Sequence, residues 1–487
     1  MKKDNSIYIV GAGLAGTTIA QQLIDKKVFG MPVAFLDDDP AKIGSKVYGI
    51  PVLGPISKAS ELVQPEKNAE VLIAIPSIQI ERLQEIYMSI KSAGFTKIKI
   101  LPTLSQIIDG TAHLVQARDI NPEDLLGRTP ITIKLTRTLS YLRGKRVLIT
   151  GAGGSIGSEL ARQLLSGGAE RLYLLGHGEN SIYHIHKELQ RLQEGGVGEQ
   201  AIIVPIIGDI KDADYLDYIL SKLNCDVVFH TAAYKHVPLM QENPVAVIHN
   251  NVLGMKYLLD ASLKHNVKRF VLISTDKAVS PVSVYGLSKY LCEKLLLEAA
   301  QKAKVCKQGA YMFVRFGNVL GSRGSIFPLF VDQIKNGGPV TVTDKRMERY
   351  FMTIPEACSL ILQTAGVGEN AQSYLLDMGE PMNIYETAKQ LIRYFGYEPE
   401  IDIPIKIIGM RAGERLTEEL IAKDEKIEKT DYPKINRILS NTNTSMNLNP
   451  LLDSLHPICY KVSGKEHLYR NKEELLTILE NQFGNIR

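Results

Sequence analysis

The sequence predicts an α/β protein of two tandem doubly wound units, each a parallel sheet flanked by helices. Two observations carry that prediction. Short apolar runs, the signature of strands buried on both faces, recur between longer stretches of helical period. The series also opens twice in the same way, with a strand, a glycine-rich turn and a helix. Ser6–Val10 runs into Gly11-x-Gly13-x-x-Gly16, and Arg146–Thr150 runs into Gly151-Ala152-Gly153-Gly154-Ser155-Ile156-Gly157.

In the first unit, residues 1–110, the opening turn is followed by Val33-Ala34-Phe35-Leu36-Asp37, a second strand with an acidic end suited to a ribose. Val71–Ile75 and Ile98–Leu101 continue the parallel pattern. A Rossmann-like domain is expected, with Gly11, Gly13, Gly16 and Asp37 as a possible second nucleotide site. Glycines serve close packing equally well, and no catalytic set falls between Met1 and Gly110, so a regulatory or scaffolding role stands beside the binding one. Residues 111–143, with Asn121-Pro122 and Thr129-Pro130, read as a connector.

The second unit begins at residue 144. Gly151, Gly154 and Gly157 fit T-G-x-x-G-x-x-G: a tight turn, close approach of backbone amides to a pyrophosphate, and close packing of the helix. Ser155 and Ile156 complete this cofactor loop. The adenosine half of a dinucleotide belongs near Leu174–Asn180, where an acid would take the ribose diol and an Arg a 2'-phosphate. This chain has Gly176-His177 there, leaving NAD or NADP open. Ala232 and Ala233 are small enough for the backbone to approach the cofactor, or for simple core packing.

Residues 274–289 read STDKAVSPVSVYGLSK. Tyr285 and Lys289, four apart on one helix, share a face, so the ammonium is expected to lower the phenol's pKa and make it a base. The same Lys could hold a cofactor ribose. The apolar run Arg269–Ile273 places Thr275, Asp276 and Lys277 at a strand's carboxyl end, where open α/β sheets bind ligands.

Taken together, these motifs resemble the extended short-chain dehydrogenases/reductases, and within them the nucleotide-sugar 4,6-dehydratases of bacterial polysaccharide biosynthesis (the CapD-like branch), which act on UDP-N-acetylglucosamine. The resemblance spans about residues 144–435 and includes Gly208-Asp209-Ile210, His230–Pro238, Arg315–Ser325, Arg349–Thr353 and Gly409–Arg415. It implies that Asp209 and Ile210 lie near the adenine, although Asp209 equally suits a helix N-cap. It implies substrate contacts at His236, Asn318, Arg323, Arg349, Arg411 and Glu414, where an Arg binds a diphosphate and a Glu a uridine ribose. Any one Arg could instead be a structural ion pair, and His236 could cap its strand end. The sequence departs from the family pattern at Ala412 and Arg415, where Pro and Lys are usual. It also has Tyr285 where many long members have Met, which makes oxidation easier to explain and weakens transfer of that branch's stereochemistry.

The resemblance implies a reaction. Tyr285 takes the proton of a sugar C4 hydroxyl, Lys289 assists it, Thr275 holds the oxygen and NAD(P)+ takes hydride. Lys277, if depressed by burial and nearby cations, removes the C5 proton while a protonated Asp276 donates to the departing C6 hydroxyl. Hydride returns to C6, so the tightly bound cofactor is regenerated each turnover. The alternatives are a UDP-sugar C4 epimerase using Tyr285 and Lys289 alone, and a non-catalytic nucleotide-sensing regulator of polysaccharide assembly. For Asp276 and Lys277 the plainer reading is a surface ion pair.

Composition sets the outer bounds. At 487 residues, 45% hydrophobic and 23% charged, the chain has the usage of a large globular enzyme. A net charge of +4 is too dilute to imply nucleic acid. Five scattered cysteines, 225, 292, 306, 358 and 459, suggest reduced thiols in a cytoplasmic setting and no zinc. His184 and His186, two apart on a helix, face different ways, and no metal is expected. There is no apolar run of membrane-spanning length and no signal-peptide core after Met1-Lys2-Lys3-Asp4-Asn5, so no membrane segment is expected in this chain, although a longer form could be membrane-linked at the inner face. Residues 436–487, with the helical pattern Lys472–Leu479, are expected to form a C-terminal cap or tail. The resemblance further implies a homo-oligomer, with the helices following Pro244 and Tyr285 as its candidate interface.

Overall fold

The computed structural model describes residues 5–26, 30–66, 68–101, 117–120, 124–125, 139–305, 309–411, 413–440, 447–484 and 486. Asn121-Pro122, Thr129-Pro130, Cys306 and Ala412 lie outside the described residues, as does most of the expected connector. The chain divides into two compact units, Met1–Arg137 with Gln190–Glu199, and Thr138–Leu189 with Gln200–Arg487.

Among the described residues the first unit has seven strands: β1 (Ser6–Val10), β2 (Met31–Leu36), β3 (Lys46–Val47), β4 (Ile50–Leu53), β5 (Glu70–Ile73), β6 (Lys97–Ile100) and β7 (Arg118–Asp119). They are ordered β3-β4-β2-β1-β5-β6-β7. The pairings β4/β2, β2/β1, β1/β5 and β5/β6 are parallel, and the outermost pair at each edge is antiparallel. The helix Leu14–Lys26 lays Ile19 and Leu23 on Ile9, Phe35 and Leu72 in one apolar cluster, which is why the β1 turn must be tight. At Gly16 a Cβ would stand 1.9 Å from the Gly11 carbonyl oxygen, so the third glycine is required by helix–turn contact whatever the turn binds.

The second unit is a Rossmann-like α/β domain with a larger sheet. Its strands are β8 (Arg146–Thr150), β9 (Arg171–Gly176), β10 (Ile202–Ile207), β11 (Val227–His230), β12 (Arg269–Ile273), β13 (Ala310–Arg315), β18 (Ser373–Leu376), β21 (Glu425–Lys429) and β22 (Ile435–Ser440). They are ordered β10-β9-β8-β11-β12-β13-β18-β22-β21, and every pairing from β10 to β18 is parallel. The last two, antiparallel, strands close the far edge. Three small ribbons lie outside it: β14 (Asn318–Leu320) with β17 (Phe351–Thr353), β15 (Val340–Val342) with β20 (Ile405–Ile407), and β16 (Glu348–Arg349) with β19 (Met382–Asn383).

The order reverses after β8: the chain goes outward through β9 and β10, then returns to place β11 on the other side of β8. The carboxyl ends of β8, β11 and β12 therefore sit side by side, with Thr150 in register with His230 and His230 with Leu272. That is the switch-point crevice of a doubly wound sheet. The helix Val284–Val305 is buried on most of its surface, including Tyr285, Lys289 and Glu293. C-terminal helices Asn449–Cys459 and Lys472–Phe483 contribute Leu451, Leu455, Leu475 and Leu479 to the core cluster that also holds Val247, Leu291 and Leu295. Among the described residues no helix is long and apolar enough to cross a membrane.

Candidate active site

Between β8 and the helix Ser155–Ser166 the chain turns at Gly151, whose φ of +68° is a left-handed conformation. A Cβ there would also meet the Ala232 backbone nitrogen at 2.8 Å, so the turn after β8 and the turn after β11 touch through backbone alone. A Cβ at Gly157 would lie 2.4 Å from the Gly151 oxygen. These two glycines thus bring the N-terminus of the helix Ser155–Ser166 up to the turn after β8, and the first amides of a helix have no intrahelical acceptor. Arg323 reaches this loop through its backbone N–H, 3.1 Å from Ser155 Oγ, while its side chain is exposed. The Asp209 carboxylate accepts from Lys211 N at 3.0 Å and pairs with Lys211 Nζ at 3.1 Å. Asp209 is not the helix cap; Asp212 is, accepting from Tyr215 N. Ile210 is buried beneath.

At the end of β12 the structure brings Thr275, Asp276, Lys277 and Tyr285 together. Asp276 is 1% exposed. Its Oδ1 accepts from Thr275 Oγ1 at 2.9 Å and Lys277 Nζ at 3.0 Å, while Oδ2 is buried with no protein partner. Lys277 Nζ also donates to Asn318 Oδ1 at 3.3 Å and stands 3.5 Å from Glu418 Oε1. Burial opposes the ammonium, but Asp276, Glu418 and Tyr285 outweigh it and push Lys277 up to about 12. The expected depression of Lys277 by nearby cations is thereby reversed, because its charged neighbours are anions. This is no surface ion pair.

The expected action of Lys289 on the phenol also needs correction. Burial pushes Tyr285 up to about 12, opposed by the charge of Lys277 and by hydrogen bonding to Thr275. Lys289 Nζ instead donates to the Ile273 carbonyl at 2.7 Å, and burial lowers its own pKa. The cation acting on the phenol is therefore the one from the triplet.

The residues expected on the substrate side are dispersed in role. Asn318 touches Lys277 directly. Arg349 is drawn inward: Nη1 donates to the carbonyls of Glu348 (2.7 Å) and Leu416 (2.9 Å), Nη2 to that of Arg415 (2.8 Å), and Nε lies 3.7 Å from Glu418. In this arrangement it staples the 415–418 segment in place. Arg411 and Glu414 close a turn on each other, Arg411 N donating to Glu414 Oε2 at 3.1 Å, and the Arg411 side chain stays exposed. His236 precedes the helix Val237–Glu242 without a side-chain cap bond, its ring against Gly324, and burial with the neighbouring Lys235 lowers its pKa.

Of the supporting residues, Asn251, Glu293 and Glu425 have no local sequence signal, whereas His230 and Arg315 open two of the motifs. Asn251, on a π-helical turn over Ile248–Leu253, accepts from Tyr234 N at 2.9 Å and donates to the Tyr234 carbonyl and Ser288 Oγ, both at 3.0 Å. It ties the turn after β11 to the Tyr285 helix. His230 meets Thr150 Oγ1 at 2.8 Å, and burial with the charge of Lys289 pushes it down to about 3, so the ring is neutral. Arg315 grips Glu293 through Nε (2.7 Å) and Nη2 (2.6 Å) and Glu425 through Nη1 (2.7 Å), while Ser274 Oγ donates to Glu293. This buried network fixes the strand end preceding Thr275.

In the first unit, Asp37 has both carboxylate oxygens engaged, Oδ2 by Ala12 N at 2.6 Å and Oδ1 by Asp39 N at 2.9 Å. Gly11, Gly13 and Gly16 form the turn beside it. Among the described residues, no group of three or more His, Cys, Asp or Glu is placed to hold a metal ion.

Residues 147–440 match the family model described as polysaccharide biosynthesis protein. The probable polysaccharide biosynthesis protein EpsC of Bacillus subtilis is 42% identical over 88% of this chain and 70% of its own length. A UDP-N-acetylglucosamine 4,6-dehydratase (inverting) of Campylobacter jejuni is 31% identical over 58% of this chain and 79% of its own. A UDP-glucose 4-epimerase of Rickettsia akari is also 31% identical, over 60% and 82%. The X-ray structure of Pen from Bacillus thuringiensis superposes with a TM-score of 0.56 at 30% identity, covering 62% of this chain and 91% of that one. With the family model spanning more than half of its length, the chain belongs to the polysaccharide biosynthesis protein family.

Proposed function

We propose that this protein is a nicotinamide-dependent nucleotide-sugar 4,6-dehydratase that converts UDP-N-acetylglucosamine to a UDP-4-keto-6-deoxy-N-acetylhexosamine. The observation that carries this reading is the Asp276–Lys277 pair beside Tyr285, with Asp276 buried, Lys277 partly so, and one carboxylate oxygen unpartnered. An epimerase has no use for such a pair.

The turn fits a dinucleotide: Gly151 and Gly157 let the turn after β8, the turn after β11 and the helix N-terminus meet through backbone alone, and a helix N-terminus is suited to a pyrophosphate. Gly151, Gly154, Ser155, Ile156 and Gly157 would hold the pyrophosphate, Asp209 and Ile210 the adenosine end, and Ala232, Ala233, Tyr285 and Lys289 the nicotinamide end. A nicotinamide held there would supply the hydride chemistry, taking hydride from C4 and giving it back at C6.

The protein's own residues handle the protons. Thr275 orients the C4 oxygen and Tyr285 receives its proton. At rest Lys277 is an ammonium and Asp276 its partner. Transfer of one proton across the 3.0 Å contact turns them into a neutral amine and a neutral carboxylic acid, the base for C5 and the acid for the C6 hydroxyl. The same two groups then return a proton to C5. Incubation with UDP-N-acetylglucosamine followed by mass spectrometry tests the reading: the product is lighter by one water, whereas an isomer of unchanged mass identifies a C4 epimerase.

A further inference from the structure

We propose that Glu418 is a positioning residue for the acid–base pair: it anchors the Lys277 amine against Asp276 and holds the pair's shared proton in place at alkaline pH. The proposal rests on the dehydratase reading for what the pair does, and on geometry alone for the contact.

Glu418 comes from the irregular segment after the Arg411–Glu414 turn, far from the STDK stretch in sequence, yet its side chain is only 7% exposed. Its Oε1 lies 3.5 Å from Lys277 Nζ and 3.7 Å from Arg349 Nε. Arg349 holds the carbonyls of Arg415 and Leu416, so the residue that pins the segment also faces the carboxylate the segment delivers. A carboxylate this buried persists as an anion only with cations beside it. The groups set against Lys277 are Asp276 from its own turn, Tyr285 from the next helix, Asn318 from β14 and Glu418; Arg349 faces Glu418 from β16.

The consequence is a bias in proton holding. Chemistry at C5 and C6 needs one proton on the Asp276–Lys277 pair, whichever partner carries it. With both members unprotonated there is no acid for the C6 hydroxyl. A second carboxylate against the amine makes loss of that last proton harder and moves it to higher pH. Glu418 touches no reacting atom and acts through Lys277.

The test is the pH profile of solvent-deuterium entry at C5 of UDP-N-acetylglucosamine for wild type, Glu418→Gln and Glu418→Asp, between about pH 6 and 10. Wild type is expected to show no alkaline downturn in this range. Glu418→Gln is expected to show a downturn inside this range, and Glu418→Asp, with the charge kept on a shorter arm, one that starts at higher pH. A uniform rate loss in the variants with the alkaline side unchanged, or an effect on KM alone, would overturn the proposal and make Glu418 a merely structural partner of Arg349. If Glu418→Gln does not fold, Glu418→Asp decides: an earlier downturn supports the role and a wild-type profile refutes it. If wild type neither exchanges C5 nor releases water, the dehydratase reading is what has failed. The contact is then read from acylation of Lys277 near pH 8, followed by peptide mass spectrometry. Faster labelling in Glu418→Gln supports it and an unchanged rate refutes it.

Discussion

Replacing Lys277 with Met isolates the energetic claim of the site, because it removes the one ammonium that the buried Asp276 touches. Asp276 would keep a single partner, the Thr275 hydroxyl, and its Oδ2 is already unpartnered. An ion left uncompensated at such a depth costs about 3–5 kcal/mol. The escape is to take up a proton, and holding a carboxyl of ordinary pKa near 3.9 neutral at pH 7 costs about 4 kcal/mol. Lys277→Met is therefore expected to lose about 3–4 kcal/mol at pH 7. Its folded-state Asp276 pKa is raised, so the deficit is smallest at or below the unfolded-state value and grows as pH rises towards the folded one. At pH 5 it should be nearer about 1.5 kcal/mol. Urea midpoints of wild type, Lys277→Met, Asp276→Asn and the double variant, at pH 5 and 7, measure this. The double variant should recover at least about 2 kcal/mol relative to additivity. A deficit equal at both pH values, with no recovery in the double variant, would refute the buried-pair account.

Three further outcomes follow from the same geometry. With Tyr285 pushed up to about 12, the phenol holds its proton at neutral pH, so the rate of C4 oxidation, followed as cofactor reduction in a stopped flow, should rise with pH from about 7 to 10; a plateau across that range contradicts it. Gly157→Ala forces a methyl to within 2.4 Å of the Gly151 oxygen, and cofactor binding by calorimetry should weaken at least about tenfold, whereas unchanged affinity would show that the loop does not hold the pyrophosphate. Arg315→Met strands the buried Glu293 and the partly buried Glu425 and should cost about 3–5 kcal/mol in urea unfolding, partly restored by adding Glu293→Gln; loss below about 1 kcal/mol would mean the network is dispensable.

What the sequence disclosed divides along a physical line. Arg146–Thr150 and Arg269–Ile273 were legible as strands because continuous apolar runs report two-sided burial, and Gly151 and Gly157 because backbone contact at a strand–helix turn demands them. The cluster of Thr275, Asp276, Lys277 and Tyr285 was legible because it lies within one short stretch of chain. Glu418, Asn251 and the Glu293–Arg315–Glu425 network were not, since each meets its partners only through tertiary folding and carries no spacing of its own. The charge states were misread for the same reason. Lys277 was expected among cations, but the carboxylate that decides its proton arrives from a distant segment held by Arg349. Arg349 is a diphosphate candidate from its motif, and its backbone acceptors become visible only in the fold.

The central claim is that the Asp276–Lys277 pair works on C5 and C6 of a UDP-sugar already oxidised at C4. Conversion of UDP-N-acetylglucosamine in deuterium oxide, read by mass spectrometry and proton NMR, tests it most directly. The account predicts a 4-keto product that has lost one water and carries one solvent deuterium at C5. An isomeric product of unchanged formula with no deuterium on carbon would contradict it.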